Sequence, residues 1–149
     1  MIRVAPDGTL TFGTTAQVLA EPVLVQHDVE LRYNPDEPFA VGLDFRPLTV
    51  DGTAGGDRSG DGGVLWRLDR EVLGTGHSSN DPCGDVRVTR LEALGVLIVE
   101  LVPGSMAATI VRFRADAVDE FLRATYRMVP RGTESPDLDG LIRKILASA

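Results

Sequence analysis

Two runs of strict alternation flank an interruption between residues 29 and 45. Val29, Leu31 and Tyr33 are apolar at odd positions, with Glu30, Arg32 and Asn34 between them. Beyond the interruption Phe39, Val41, Leu43 and Phe45 take the odd positions again. A strand sends successive side chains to opposite faces, so each run offers one face to a core and one to water. Pro35 and Pro38 bracket Asp36 and Glu37, and proline cannot donate to a sheet ladder. The pattern predicts a β-hairpin with a stiff turn from Asn34 to Pro38.

The same reading extends along the chain. Residues 1–13 predict an irregular or short-strand leader with a turn at Asp7-Gly8, followed by a first strand within 17–26 that Pro22 limits. Val64, Trp66 and Leu68 alternate, and Trp66 is expected to be buried with them. Asp69 is placed to cap a short helical turn over 70–73. Three more strands are expected over 85–90, 95–102 and 108–113, with Pro103-Gly104 turning the chain between the last two. The period then changes. Val118, Phe121, Leu122, Thr125, Met128 and Val129 follow helical spacing, with Asp116 as N-cap, Asp119 and Arg123 spaced for a surface pair, and Pro130 and Gly132 as terminators. Ser135-Pro136 reads as the start of a second helix. Its stripe of Leu138, Leu141, Ile142, Ile145 and Leu146 suits packing on its own sheet or on a neighbouring subunit; it is expected to close the core, leaving an adjacent edge strand for self-association. The result is one mostly antiparallel β domain over 1–149 that ends in two helices, with no internal repeat.

Composition narrows the class. The chain has 149 residues, 43% of them hydrophobic and 25% charged, which suits one folded domain. No apolar run approaches the roughly 20 residues of a membrane helix. The first residues lack the layout of a signal peptide, so a cytoplasmic location without membrane insertion is expected. The net charge of −7 is uneven: residues 1–63 carry ten acids and four arginines (−6), the remainder twelve acids and eleven bases (−1). The acidic half would repel free nucleic acid. Residues 51–63 hold six glycines in thirteen positions, and so much glycine carries a high ordering cost, which predicts a flexible loop. It lacks both the Gly-Lys-Ser/Thr ending of a phosphate loop and the closing glutamate of a helix-loop-helix calcium site.

The most enzyme-like stretch is "HSSNDPCGD", which gathers His77, Asp81, Cys83 and Asp85 within nine residues. Two acids flank the lone cysteine and disfavour a thiolate. One His and one Cys are too few for a metal site. A polar loop of Asx-type turns explains the same residues. His27 is expected to be exposed, and Asp36-Glu37 lacks the facing geometry of an acid/base pair. The arginines of "RVTR" and "RFRADAV" come with few aromatics usable for base stacking. No catalytic, cofactor or metal residue is assigned, no cofactor is expected, and the sequence leaves the partner-binding residues open.

Several pieces together resemble one family. "LRYNPDEPFAV" is similar to a signature of the actinobacterial sporulation and cell-division family, the SsgA/SsgB-like proteins. There the stretch typically reads Leu-Arg-Tyr, a short acidic turn, then Asp-Pro-Tyr-Ala-Val. "VLWRLDREVL", "GDVRV", "EFLRATYRMVPRGTE" and "LDGLIRKILASA" resemble the same family in its order and near its spacing, over about residues 28 to 149. Glu37 stands where the family usually has Asp, Phe39 replaces Tyr, residues 1–27 match more weakly, and the glycine-rich loop is longer than usual. The resemblance implies an α+β, mostly β fold, with two antiparallel sheets forming a barrel-like, whirly-like core and two C-terminal helices. It also implies a non-enzymatic adaptor of cell division and sporulation. Such a protein would act at the septum through FtsZ or septal wall machinery, directly or via a paralogous family member, as a homo-oligomer such as a trimer. A single-stranded nucleic-acid-binding module of whirly-like fold is the first alternative and a small hydrolase or thiol enzyme built around Cys83 the second. The acidic charge speaks against nucleic acid. The "NPDEP" turn then reads as structural punctuation whose exposed acids are free to touch a partner.

Overall fold

The computed structural model of the chain describes residues 1–20, 22–46, 64–76, 86–101 and 109–148. Its strands are β1 (Ile2–Val4), β2 (Leu10–Ala20), β3 (Val23–Tyr33), β4 (Ala40–Phe45), β5 (Val64–Asp69), β6 (Val86–Leu91), β7 (Val96–Leu101) and β8 (Thr109–Arg114). Helix α1 (Arg70–Thr75) follows β5, while α2 (Ala115–Met128) and α3 (Leu138–Ala147) follow β8. The glycine-rich stretch 51–63, the "HSSNDPCGD" loop with His77, Asp81, Cys83 and Asp85, and the Pro103-Gly104 turn all lie outside the described residues.

The expected hairpin is present. β3 pairs antiparallel with β4, Val29 opposite Phe45 and Leu31 opposite Leu43. Asn34 organises the turn between them: its Oδ1 accepts from the Asp36 N–H, and its carbonyl from that of Glu37. The Asp7-Gly8 turn also forms. Gly8 donates to the Ala5 carbonyl at a positive φ of 84°, a conformation that suits glycine, and Thr9 N–H bonds Asp7 Oδ1.

The first strand is a correction. Instead of one strand within 17–26, two eleven-residue strands run on either side of Pro22, paired in register from Leu10↔Tyr33 to Ala20↔Val23. A proline ends a ladder and enters a turn for the same reason, its fixed φ and missing N–H, so Pro22 marks a hairpin.

The two expected sheets are also a correction. The strands described form one eight-stranded antiparallel sheet in the order β5-β4-β3-β2-β8-β7-β6, with β1 added on β2. It is an open, whirly-like half-barrel carrying C-terminal helices. The cause is the length of β2. It carries β3 along one side, and on the other both β1 (at Leu10–Phe12) and β8 (at Ala16–Val18), which fuses the two sets of hairpins.

The inner face is lined by Leu10, Phe12, Ala16, Val29, Leu31, Tyr33, Val41, Leu43, Val88, Leu97, Val99, Val111 and Phe113, all buried. Helix α2 covers it with Val118, Phe121 and Leu122, and Phe121 meets Phe12 with ring centroids 6.4 Å apart. Trp66 is only half-buried, at the rim of this core beside exposed Val64. β5 is the last strand of the described sheet, so its inner face is covered less completely than that of a central strand.

The helix starts differ in detail. Asp69 caps α1 as expected, accepting from Glu71 and Val72 N–H, an arrangement worth about 1 kcal/mol. For α2 the N-cap position is Arg114, and Asp116 sits inside the first turn, paired with Arg114. For α3 the cap is Asp137, which accepts from Gly140 N–H, in place of Ser135. The largest departure is α3 itself. Leu138, Leu141, Ile142, Ile145 and Leu146 are all more than half exposed, and α3 buries no residue. The stripe does not close the core, because α2 already fills the inner face.

Candidate functional site

The most organised polar constellation surrounds Arg70, the first residue of α1. Its side chain is 2% exposed and sits between two aromatic rings, 5.0 Å from the centroid of Tyr33 and 4.1 Å from that of Tyr126. Nη1 donates to the Tyr33 hydroxyl (3.1 Å) and to the carbonyls of Thr125 (3.3 Å) and Val129 (2.9 Å). Nη2 donates to Glu134 Oε1 at 2.8 Å. A buried guanidinium is tolerated only when paired and hydrogen-bonded, and here both conditions are met. Glu134 Oε2 in turn accepts from Gly132 N–H, and the Tyr33 hydroxyl donates to the Pro38 carbonyl. Burial pushes the Tyr33 phenol above its ordinary pKa, so it stays a neutral donor. Arg131 also lies over the Tyr126 ring, 4.9 Å from its centroid.

This cluster joins three sequence pieces: "LRYNPDEP" through Tyr33 and Pro38, "LDREVL" through Arg70, and "RATYRMVPRGTE" through Thr125, Tyr126, Val129 and Glu134. Its parts are held rigidly. Arg70 N–H bonds the Phe39 carbonyl, which fixes the hairpin turn against the start of α1. No nucleophile paired with a base is present in it. Its chemistry is that of a clamp: it fastens the segment after α2 to the hairpin turn.

A second clamp holds α2 to β6. Arg90 reaches both carboxylate oxygens of Asp119 (3.2 and 2.7 Å) and the Gly74 carbonyl. The expected Asp119–Arg123 surface pair is therefore replaced, and Arg123 Nε instead donates to the Asp119 backbone carbonyl. Asp119 prefers Arg90 because that guanidinium, on a strand end facing α2, offers two parallel bonds.

The other singled-out residues stand apart from both clamps. Asp36 and Glu37 are exposed in the turn, and Glu37 pairs with Arg67 of β5. His27, expected to be exposed, is half-buried, and its Nδ1 finds no hydrogen-bond partner among the described residues. It shares the odd positions of β3 with Val29 and Leu31, which turns it inward. Among the described residues no cluster of His, Cys, Asp and Glu could hold a metal ion, and no helix is long and apolar enough to cross a membrane. On the outer face the cations of β3 and its neighbours are matched by acids: Arg46 and Arg32 both reach Glu30, and Arg32 also reaches Asp44. Phe39 is the one exposed aromatic among the described residues. A stacking platform on a basic groove, the requirement for single-stranded nucleic acid, is not built from such residues.

Comparison with known proteins bears on both the family and the fold. The sequence model of the family described as "Streptomyces sporulation and cell division protein, SsgA" matches residues 28–134. The chain is 32% identical over 150 residues to the sporulation-specific cell division protein SsgB of Salinispora tropica, covering 97% of this chain and 87% of that protein. It is 30% identical over 139 residues to the sporulation-specific cell division protein Francci3_3418 of Frankia casuarinae, covering 85% and 87%. Its fold superposes on the SsgA-like sporulation-specific cell division protein of Thermobifida fusca with a TM-score of 0.71 at 23% identity, over 95% of this chain and 98% of that one. It superposes on a Streptomyces coelicolor SsgB structure, from work linking SsgB mutations to longitudinal cell division during sporulation, with a TM-score of 0.65 at 26% identity, over 85% and 92%. The pieces that meet at Arg70 fall within the matched residues, and the chain belongs to the SsgA/SsgB-like family of actinobacterial sporulation and cell-division proteins, a family of non-enzymatic division adaptors.

Proposed function

We propose that the chain works in the cytoplasm at the division septum, as a single SsgA/SsgB-like domain over residues 1–149. It helps to position FtsZ or the septal wall machinery, directly or through a paralogous family member. The observation that carries this reading is the Arg70 clamp. The signature residues Tyr33, Arg70, Tyr126 and Glu134 are engaged in holding the fold, so their chemistry is structural and the protein acts through its surfaces.

Self-association is part of the same proposal. A helix of ten residues with no buried side chain has little to keep it folded in water. The stripe of α3 is well suited to cover a second copy, and a closed homo-oligomer such as a trimer would hide it without building fibres. Several copies of a weak surface then raise apparent affinity by about 10²–10⁴.

The test is localisation of the fluorescently tagged protein in dividing and sporulating cells, with co-sedimentation of the purified chain on FtsZ polymers. Septal bands together with co-sedimentation are expected. Diffuse fluorescence throughout sporulation would remove the septal reading. Septal bands without co-sedimentation would move the contact from FtsZ to another division protein.

A further inference from the structure

We propose that the cleft on the outer face of the sheet, between β4, β5 and α3, binds a short acidic peptide segment of a partner protein. The adaptor reading supplies its purpose, while its chemistry stands separately. The cleft encloses about 290 Å³, near the lower end of ligand-site sizes. Its lining includes Arg32, Glu37, Gly42, Leu65, Arg67 and Lys144.

The sheet register produces the site. Gly42 pairs with Arg32 on one side and with Arg67 on the other, so across three neighbouring strands the row reads Arg-Gly-Arg. Paired residues point to the same face, so two guanidinium groups flank a position with no side chain. The gap is close-fitting: a Cβ on Gly42 would meet Leu65 Cδ1 at 3.1 Å and Arg32 Cβ at 3.6 Å. Lys144, the only lysine of the chain, reaches the same space from α3. In the signature hairpin the odd residues Leu31 and Tyr33 are buried. The alternate residue Arg32 and the turn residue Glu37 line this cleft, so one stretch of sequence serves the core with one face and the cleft with the other.

The charges choose the ligand. Three cations and one carboxylate line the cleft; Arg32 is already held by Glu30 and Asp44 on the same face, so Arg67 and Lys144 are the cations that meet a ligand. Arg67 and Glu37 are paired, but their side chains are 62% and 45% exposed. Exposed pairs contribute little to stability, so an incoming carboxylate can take the place of Glu37 on Arg67. Arginine offers a planar fork that matches a carboxylate at two points. Among the described residues Lys144 forms no ion pair and is free to receive a second carboxylate. Leu65, half-exposed, gives an aliphatic side chain something to pack on. A nucleic acid would bring a charge at every nucleotide against the acidic remainder of the surface, and the cleft lining offers no exposed aromatic for its bases.

Fluorescence anisotropy with the full chain tests the proposal. The probes are a short labelled peptide alternating glutamate and leucine and a labelled oligothymidylate. Peptide binding that weakens with salt is expected, at least tenfold weaker in Arg67→Gln/Lys144→Gln and unchanged in Arg112→Gln, a control arginine elsewhere on the sheet. Lys144→Gln alone, on an exposed helix, should weaken binding measurably even if the double variant folds poorly. Absence of peptide binding, an equal loss in Arg112→Gln, or tighter binding of the oligothymidylate than of the peptide would each overturn it. None of these outcomes bears on septal localisation, so the adaptor reading stands or falls by its own experiment.

Discussion

Arg70 and Glu134, 64 residues apart in the chain, meet at 2.8 Å with 2% and 12% of their side chains exposed. Removing Arg70 leaves Glu134, the Tyr33 hydroxyl and two carbonyls without their donor. Arg70→Met should destabilise the fold by about 3 kcal/mol, the low end for a broken buried pair, because Glu134 can turn towards water. Chemical denaturation reads this as a lower midpoint at unchanged slope.

The same pair sets an acid limb. The backbone N–H of Glu134 itself, then that of Gly132 and the Arg70 guanidinium, hold the Glu134 carboxyl below its ordinary 4.5 against partial desolvation. A carboxylate depressed in the folded state contributes stability above its unfolded pKa and loses it as pH falls through the folded one. Wild type should therefore exceed Glu134→Gln in stability at pH 6, with the gap closing below about pH 4.5. A gap that stays constant down to pH 3 would show that ionisation of Glu134 contributes nothing.

Trp66 gives a graded test of burial. A fully buried Trp→Ala substitution costs about 3–5 kcal/mol, and the half-buried Trp66 at the rim should cost about 2. As the only tryptophan, it reports on β5 directly. Its emission should shift to the red in the native protein relative to a fully buried indole, and a strongly blue-shifted native spectrum would contradict the rim position.

Helix α3 separates folding from assembly. Because Leu141 and Ile145 are exposed at 53% and 59%, Leu141→Glu/Ile145→Glu should leave the stability of the domain within about 0.5 kcal/mol. The same variant should convert a discrete oligomer to monomer in sedimentation velocity. A monomeric wild type at micromolar concentration would remove α3 as an assembly surface.

What the sequence revealed follows the range of its signals. The alternation of Val29, Leu31 and Tyr33 with Val41, Leu43 and Phe45 is local, and so was legible. So were β6, β7 and β8 and the cap at Asp69. Pro22 was ambiguous because one property of proline serves both the end of a strand and the middle of a hairpin. The Arg70 clamp was not legible: its partners lie 37 to 64 residues away, and no periodicity announces a buried arginine. A hint existed in the charged first position of a short helix otherwise facing the core. The α3 stripe shows the complementary limit. Helical spacing reveals that a face is apolar, but not that α2 already occupies the place it would fill.

The short junction between β2 and β8 has a consequence for the order in which the protein folds. β2–β3, β3–β4, β6–β7 and β7–β8 each join strands that follow one another in the chain, while Gln17 must find Arg112, 95 residues further on, to close three residue pairs. Closing so long a loop is entropically unfavourable until other contacts hold its ends. The two sets of hairpins should therefore form first and independently, and their union at Ala16–Val18 should come late, completed as Phe121 seats against Phe12. Substitutions whose contacts form only at that union, such as Phe121→Leu against Phe12, would speed unfolding, whereas substitutions within the β3–β4 hairpin would slow folding.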